Sequence, residues 1–267
     1  MSVLLVIPAR YASSRYPGKP LVPLRGADGA SKTLLHRTWE AALAVAGIDR
    51  AVVATDDDRI AAEGRRIGAE IVMTSDTARN GTERCAEAHA ALGNGFDIVV
   101  NLQGDAPLTP PWFIEALVRD LSAAPKDTAL STPVLRCDGA TLAAFRTDRA
   151  AGRVGGTTAV FGSDRRALYF SKEVVPFTAA TYAADAPTPV FHHVGVYAYA
   201  AAALAEYPGL APGSLEGLEG LEQLRFLEHG RPILCTEVES RGRPFWELNN
   251  PDDVPRIEMM LSDLGIG

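Results

Sequence analysis

Residues 3–21 read VLLVIPARYASSRYPGKPL, and the rest of the 267-residue chain is organised around them. Val3 to Ile7 is a short, uncharged run rich in β-branched residues and closed by Pro8. That is the pattern of a strand buried on both faces in the middle of a parallel sheet. Arg10, Arg15, Gly18 and Lys19 follow its carboxyl end, where open α/β sheets bind ligands. Gly18 permits close backbone approach, while two guanidinium forks and an ammonium can grip an anion, for which a polyphosphate is the natural candidate. A basic surface loop after a buried strand is the alternative reading of the same residues. The loop contains neither G-x-x-x-x-G-K-[ST] nor G-x-G-x-x-G, which counts against ordinary P-loop kinases and dinucleotide oxidoreductases.

Downstream, strands and helices alternate in a βαβ manner. Residues 32–46 space Leu34, Leu35, Trp39, Leu43 and Ala46 as a helix that packs back on the sheet, and residues 51–54 form the next strand. Asp56, Asp57 and Asp58 then open a helix, where carboxylates favour the positive end of its dipole. Residues 70–73 predict a third strand, followed by the polar loop TSDTARNGTER and a further helix. The run 96–102 predicts a central strand with Gln103, Gly104 and Asp105 at its carboxyl end. A carboxylate placed there can coordinate Mg²⁺ in a shell shared with substrate phosphates, although an ordinary strand-to-turn transition has the same sequence. Beyond a helix at 111–123 and a strand at 129–134, residues 136–161 read as turns, a polar stretch and a strand at 157–161. Together they predict a single domain over 1–267 with a lobe-like excursion at about 136–200. Residues 178–190 read as a loop, and 214–229 as one amphipathic helix capped by Ser214.

Composition narrows the function. With 47% apolar and 22% charged residues the chain is an ordinary globular protein. Its net charge of −7 gives no global basic footprint, which disfavours nucleic-acid and membrane-surface roles and makes any anion site local. Cys85, Cys137 and Cys235 are far apart and without zinc spacing, so neither a disulfide framework nor a zinc site is expected. The first residues are too short for a signal peptide and no long apolar run follows, so the expected compartment is the cytoplasm.

The N-terminal stretch resembles the opening signature of the Kdo (3-deoxy-manno-octulosonate) cytidylyltransferase family. The resemblance continues, in the family's order, through VVATDDDRI at 52–60, NGTERCAEA at 80–88, VVNLQGDAP at 99–107, ALYFSK at 167–172, HHVGVYAY at 192–199 and LEQLRFL at 221–227. It implies a Rossmann-like nucleotidyltransferase fold with a mostly parallel central sheet, a small acceptor and dimerisation lobe, a homodimer and Mg²⁺. It also implies that an acidic acceptor, Kdo by default, attacks CTP and releases pyrophosphate. Carried over residue by residue, it gives Arg10, Arg15 and Lys19 as catalytic. Ala9, Arg10, Ser13, Gly18, Lys19, Asn80, Gly81, Thr82, Arg84 and Gln103 would bind the nucleotide. His193, Tyr197, Glu222 and Gln223 would bind the acceptor, and Asp105 and Asn249 the metal.

The sequence departs from the family pattern at particular places. Asn80 replaces a serine, Ala106 stands where QGDEP has a carboxylate, and Thr158 falls near the position of a lysine. Asn249 stands where V-D-T-P-[ED]-D-L has a metal-binding aspartate, and an amide oxygen supplies no negative charge. Asn249-Asn250-Pro251 also reads as an ordinary helix entry. These departures leave open another ulosonic acid, or a small phosphonate such as phosphonoformate, as acceptor. A non-catalytic nucleotide-binding protein is the reading from a different class.

Overall fold

The structure, a computed structural model, describes residues 1–12, 16–154 and 156–267. Ser13 and Arg15, singled out above, lie outside the described residues. The chain divides into two compact units: unit 1 is Met1–Glu115 with Ser240–Gly267, and unit 2 is Ala116–Glu239. In chain order the first unit supplies strands β1 (Val3–Ala9), β2 (Pro23–Arg25) and β3 (Ser31–Thr33), helix α1 (Leu34–Leu43), β4 (Arg50–Thr55), α2 (Asp58–Arg66), β5 (Ile71–Met73), α3 (Gly81–Ala91) and β6 (Ile98–Leu102). Helix α4 (Pro111–Ala123) contains the division point. Unit 2 continues with β7 (Leu130–Asp138), α5 (Gly139–Ala150), β8 (Thr157–Phe161), β9 (Ala167–Ser171), β10 (Pro187–His193) and β11 (Val196–Ala200). It closes with α6 (Ala201–Glu206), α7 (Ser214–Glu219), α8 (Leu224–Glu228) and β12 (Ile233–Glu237), after which α9 (Asp253–Asp263) returns to unit 1.

The sheet of unit 1 runs β5-β4-β1-β6, with every pair parallel. Flanked on both sides, β1 is buried along its whole length, which is why its sequence carries no polar alternation. Local chemistry starts each helix after its strand. Thr33 accepts from the His36 N–H to cap α1, Asp57 from the Arg59 and Ile60 N–H groups to cap α2, and Asn80 from the Glu83 N–H to cap α3. A satellite core of Leu24, Leu34, Leu108, Leu248, Ile257 and Leu261 holds α9 in this unit. The observed helix at 34–43 and strands at 50–55 and 71–73 match the predicted elements to within a few residues at their ends.

Unit 2 is antiparallel in the order β11-β7-β10-β8-β9, with β12 added parallel to β7. Two sequence expectations need correction here. Residues 139–150, read as turns and a polar stretch, form α5, capped by Asp138 on the Thr141 N–H and sealed by a core of Cys137, Leu142, Phe145 and Val190. Only Leu142 and Phe145 mark its buried face among alanines, so the periodic signal is faint. Residues 214–229 are not one helix but α7 and α8. Gly220, at φ 61°, ends the first by donating its N–H to the Glu216 carbonyl. Ser214 is not its cap either, because Glu228 accepts the N–H groups of Leu215 and Glu216, both at 2.9 Å. The supposed apolar stripe is split: Leu218 is 83% exposed while Leu224 and Phe226 are buried.

Candidate active site

The carboxyl ends of β1 and β6 and the start of α3 enclose a cleft in unit 1 of about 270 Å³. It is lined by Ala9, Arg10 and Lys19, by Arg79, Asn80, Gly81 and Arg84, and by Gln103, Gly104 and Asp105. Backbone economy makes the close approach possible. Gly104 lies so near β1 that a Cβ would sit 2.9 Å from the Pro8 carbonyl oxygen. A Cβ at Gly81 would meet the amide nitrogens of Gln103 and Asn101 at 3.0 and 3.3 Å. Neither position admits a larger residue without displacing its neighbour.

Lys19 and Asp105, separated by most of unit 1 in sequence, form an ion pair at 2.6 Å. Both are largely covered. The backbone places Lys19 there: Gly18, at φ 72°, donates its N–H to the Tyr11 carbonyl and caps the 3₁₀ turn Lys19–Leu21. Arg10 is exposed at the cleft. Arg84 is a different kind of cation. Only 3% exposed, it lies 3.3 Å from Asp56 and donates to the Thr74 hydroxyl, so its charge is already matched and it acts as a wall of the cleft. Asn80 spends its side-chain oxygen on the α3 cap, and Thr82 is buried in the helix's first turn. Arg79, which the sequence reading passed over, also lines the cleft and is tethered through Nε to Glu83 at 2.8 Å. Its signal in the sequence was a lone cation one residue before the family segment.

The Leu248 N–H donates to the Asp105 carbonyl at 2.9 Å, bringing the segment of Asn249 alongside the end of β6. Asn249 and Asn250 donate their N–H groups to Asp253 Oδ2, and Trp246 Nε1 donates to its Oδ1. The expected helix entry is therefore reversed: Asp253, the first residue of α9, reaches back to hold the asparagines, and neither asparagine caps the helix. Among the described residues there is no group of three or more His, Cys, Asp or Glu side chains suited to a metal. One carboxylate and one neighbouring amide fit a Mg²⁺ that takes most of its shell from phosphate and water, and do not fit a protein-made cage.

In unit 2 the residues matched to acceptor binding form a buried polar cluster. His193 Nε2 lies 2.8 Å from Thr132 Oγ1, which is also 2.9 Å from the Val196 carbonyl. That carbonyl can only accept, so a Thr132 hydroxyl that donates to it is left to accept from Nε2–H of His193. Burial, and then the neighbouring His192, push the pKa of His193 down to about 3, and burial pushes that of His192 down to about 4. Tyr197 donates its hydroxyl to Gln223 Oε1 at 3.1 Å, and Gln223 Nε2 is buried without a hydrogen-bond partner among the described residues. Glu222 stands next to it, and its backbone carbonyl accepts from Tyr207. Glu219 clamps the ALYFSK segment through Tyr169, Ser171 and the Lys172 N–H. Burial pushes its carboxyl up, but these hydrogen bonds and the charge of Lys172 outweigh that and hold it below the usual range. Thr158 is fully buried, donating to the Glu173 carbonyl and accepting from the Val175 N–H. Ala106 is buried as well.

A parallel α/β unit with a cationic loop and a carboxylate at its strand ends defines a nucleotide-binding enzyme of the phosphoryl-transfer kind. The chain belongs to the cytidylyltransferase family, whose model matches residues 4–233, and it is thus a CTP-dependent nucleotidyltransferase. It is 43% identical to a 3-deoxy-manno-octulosonate cytidylyltransferase of Maricaulis maris over 99% of both chains. It is 39% identical to an 8-amino-3,8-dideoxy-manno-octulosonate cytidylyltransferase of Shewanella frigidimarina over 98% of this chain and 99% of that one. A solved structure of CMP:2-keto-3-deoxy-manno-octonic acid synthetase complexed with CTP superposes with a TM-score of 0.82 and 29% identity, covering 99% of this chain and 100% of that one. No helix among the described residues is long and apolar enough to cross a membrane.

Proposed function

We propose that this enzyme transfers CMP from CTP to Kdo and releases pyrophosphate. The observation that carries the reading is the Lys19–Asp105 pair at 2.6 Å, set between the phosphate loop and the end of β6. It joins the cation a triphosphate needs to the carboxylate a metal needs. Lys19 and Arg10 hold the triphosphate, with Arg79 at the cleft margin, while Gly81 and Gly104 let α3 and the end of β6 pack closely around it. An acceptor oxygen attacks the α-phosphorus as the bond to the departing pyrophosphate breaks. Attack on so dense an anion depends on charge neutralisation and in-line placement, with no covalent intermediate required. Asp105 and the Asn249 amide would hold Mg²⁺, which when bound neutralises phosphate charge.

On the acceptor side, neutral His193, Tyr197 and Gln223, with the Glu222 carboxylate, supply directional hydrogen bonds. The relative of Shewanella frigidimarina, named for an 8-amino ulosonate and nearly as similar as that of Maricaulis maris, supports a second reading in which the acceptor is an amino-ulosonic acid. Ala106 and Thr158 depart from the Kdo-family pattern in the segments that would see the difference. The decisive assay is CTP-dependent pyrophosphate release with Mg²⁺, offering Kdo, its 8-amino-8-deoxy analogue and phosphonoformate in parallel. Turnover with Kdo at the highest kcat/KM is expected, and preference for another acid would move the assignment to that acid.

The proposal includes a cytoplasmic homodimer. Free, buried Cys85, Cys137 and Cys235 suit a reducing compartment, and the exposed apolar side chains Leu168 and Phe177 of unit 2 are surface that a second copy would cover. Sedimentation at micromolar concentration would find a single species of twice the chain mass, and a monomer would remove the dimer from the proposal.

A further inference from the structure

In the TDDDRI segment at the end of β4, Asp56 matches Arg84 in the cleft wall, while Asp57 and Arg59 grip the phosphate loop. The Arg59 guanidinium carbon lies 3.3 Å from the centre of the Tyr11 ring. Asp57 aims that guanidinium, accepting from its Nε at 3.0 Å and from its Nη2 at 2.6 Å. Tyr11 in turn closes the loop. Its carbonyl accepts the Gly18 N–H at 2.9 Å, and its ring leaves so little room at Gly18 that a Cβ there would sit 3.1 Å from Cε2 and Cζ. The next residue is Lys19, whose ammonium reaches Asp105.

We propose that Asp57 and Arg59 are positioning residues for the nucleotide: Asp57 aims Arg59, Arg59 seats Tyr11, and Tyr11 fixes the loop closure from which Lys19 reaches the triphosphate. Capping α2 does not by itself call for this arrangement. Asp57 Oδ1 serves the cap by accepting from the Arg59 and Ile60 N–H groups. Asparagine would cap as well, but only a carboxylate offers its second oxygen, as an anion, to the guanidinium fork. Hydrogen bonding to Arg59, foremost among several contacts, holds the Asp57 carboxyl below the usual range, so that anion persists through the working pH. The contact is also unlike a surface ion pair. Arg59 is more than half exposed, but its ring partner belongs to the loop that carries the phosphate-binding cations.

The inference rests on the reading of the unit 1 cleft as the CTP site, and calorimetric titration of the full chain with Mg·CTP separates the two. Arg59→Ala should weaken CTP binding about tenfold, the equivalent of ~1.4 kcal/mol and within the range of a partly desolvated cation–π contact. KM for CTP should rise in step while kcat changes little. Tyr11→Ala should cost the same, and the double variant no more than either single one, because one contact is lost in all three. Tyr11→Phe should bind CTP as the wild type does. Asp57→Asn should lose part of the affinity with its melting temperature unchanged, which a purely structural cap would not do. Wild-type affinity in Arg59→Ala, or additive losses in the double variant, would overturn the proposal. Arg59→Ala alone preserves the test if Tyr11→Ala does not fold. A wild-type chain that binds no CTP would overturn the nucleotide-site reading itself.

Discussion

The cleft of unit 1 and the polar cluster of unit 2 are both lined by groups that carry chemistry, and they are built in opposite ways. The cleft uses formal charges, Arg10, Lys19, Arg79 and Asp105, placed by tight backbone closures and partly open to water. The cluster uses neutral dipoles, with His193 bonded to Thr132 and Tyr197 to Gln223, all four shielded from solvent. A polyanion that arrives with its own counter-charge is best met by matched ions of both signs. A polyhydroxy acid is best met by fixed donors and acceptors that cannot change their charge. The difference teaches that affinity in the first region should follow charge, and in the second should follow geometry.

The sharpest way to break that contrast is to neutralise the cleft. Lys19→Met should lower kcat/KM for CTP by roughly 10²–10³-fold, the usual loss when one donor to a developing anion is removed. A loss below tenfold in the pyrophosphate assay would mean that charge does not govern this region. Adding charge is the complementary test. Asn249→Asp should lower the Mg²⁺ concentration for half-maximal rate by about tenfold, since a carboxylate binds the hard cation better than an amide. An unchanged Mg²⁺ titration would take Asn249 away from the metal. Gly81→Ala probes geometry within the charged cleft: the added methyl presses on Gln103 and Asn101, and overpacking of about 1–2 kcal/mol should lower the melting temperature by a few degrees and raise KM for CTP roughly tenfold.

The last test is read in stability and not in rate: acid probes the neutral cluster. His192 and His193 have folded-state pKa values lowered to about 4 and about 3, against 6.5 for the free side chain. Their contribution to stability is present above pH 6.5 and is lost as the pH falls toward those folded values, because the unfolded chain takes up protons first. Each histidine adds a slope of at most ~1.4 kcal/mol per pH unit in that window. Urea unfolding at pH 7, 6 and 5 should show the loss, and His193→Gln should flatten it. An equal slope in that variant would mean that His193 is not held neutral.

How much of this was readable in advance depended on the range of the signal. β1, β4 and β6 were legible because strands buried on both faces carry short, mainly apolar cores, interrupted here only near their ends by Arg50, Thr55 and Asn101. The phosphate loop was legible because three cations within ten residues are hard to place elsewhere. Arg15, one of those three, lies outside the described residues. Helix α5 was not legible, since alanines leave its buried face nearly unmarked. The break at Gly220 was missed because leucines on either side preserved the helical spacing that the chain then abandons. The Lys19–Asp105 contact could not be read at all, nor could the hold of Asp253 on Asn249, since each is set by where the sheet and α9 bring distant backbone together. The same is true of Arg59 over Tyr11: a run of acidic residues followed by an arginine looks like any helix start until the fold supplies the ring.

The Lys19–Asp105 pair also bears on inhibition. A compound that offers Lys19 an anion draws it away from Asp105 and leaves a mostly covered carboxylate with less compensation, a loss that can cancel the attraction gained. A tight ligand has to deliver both signs of charge together, as a chelated metal or as an ammonium built beside its phosphate mimic. Bare polyanions should therefore make poor leads for this enzyme, however closely they copy the triphosphate.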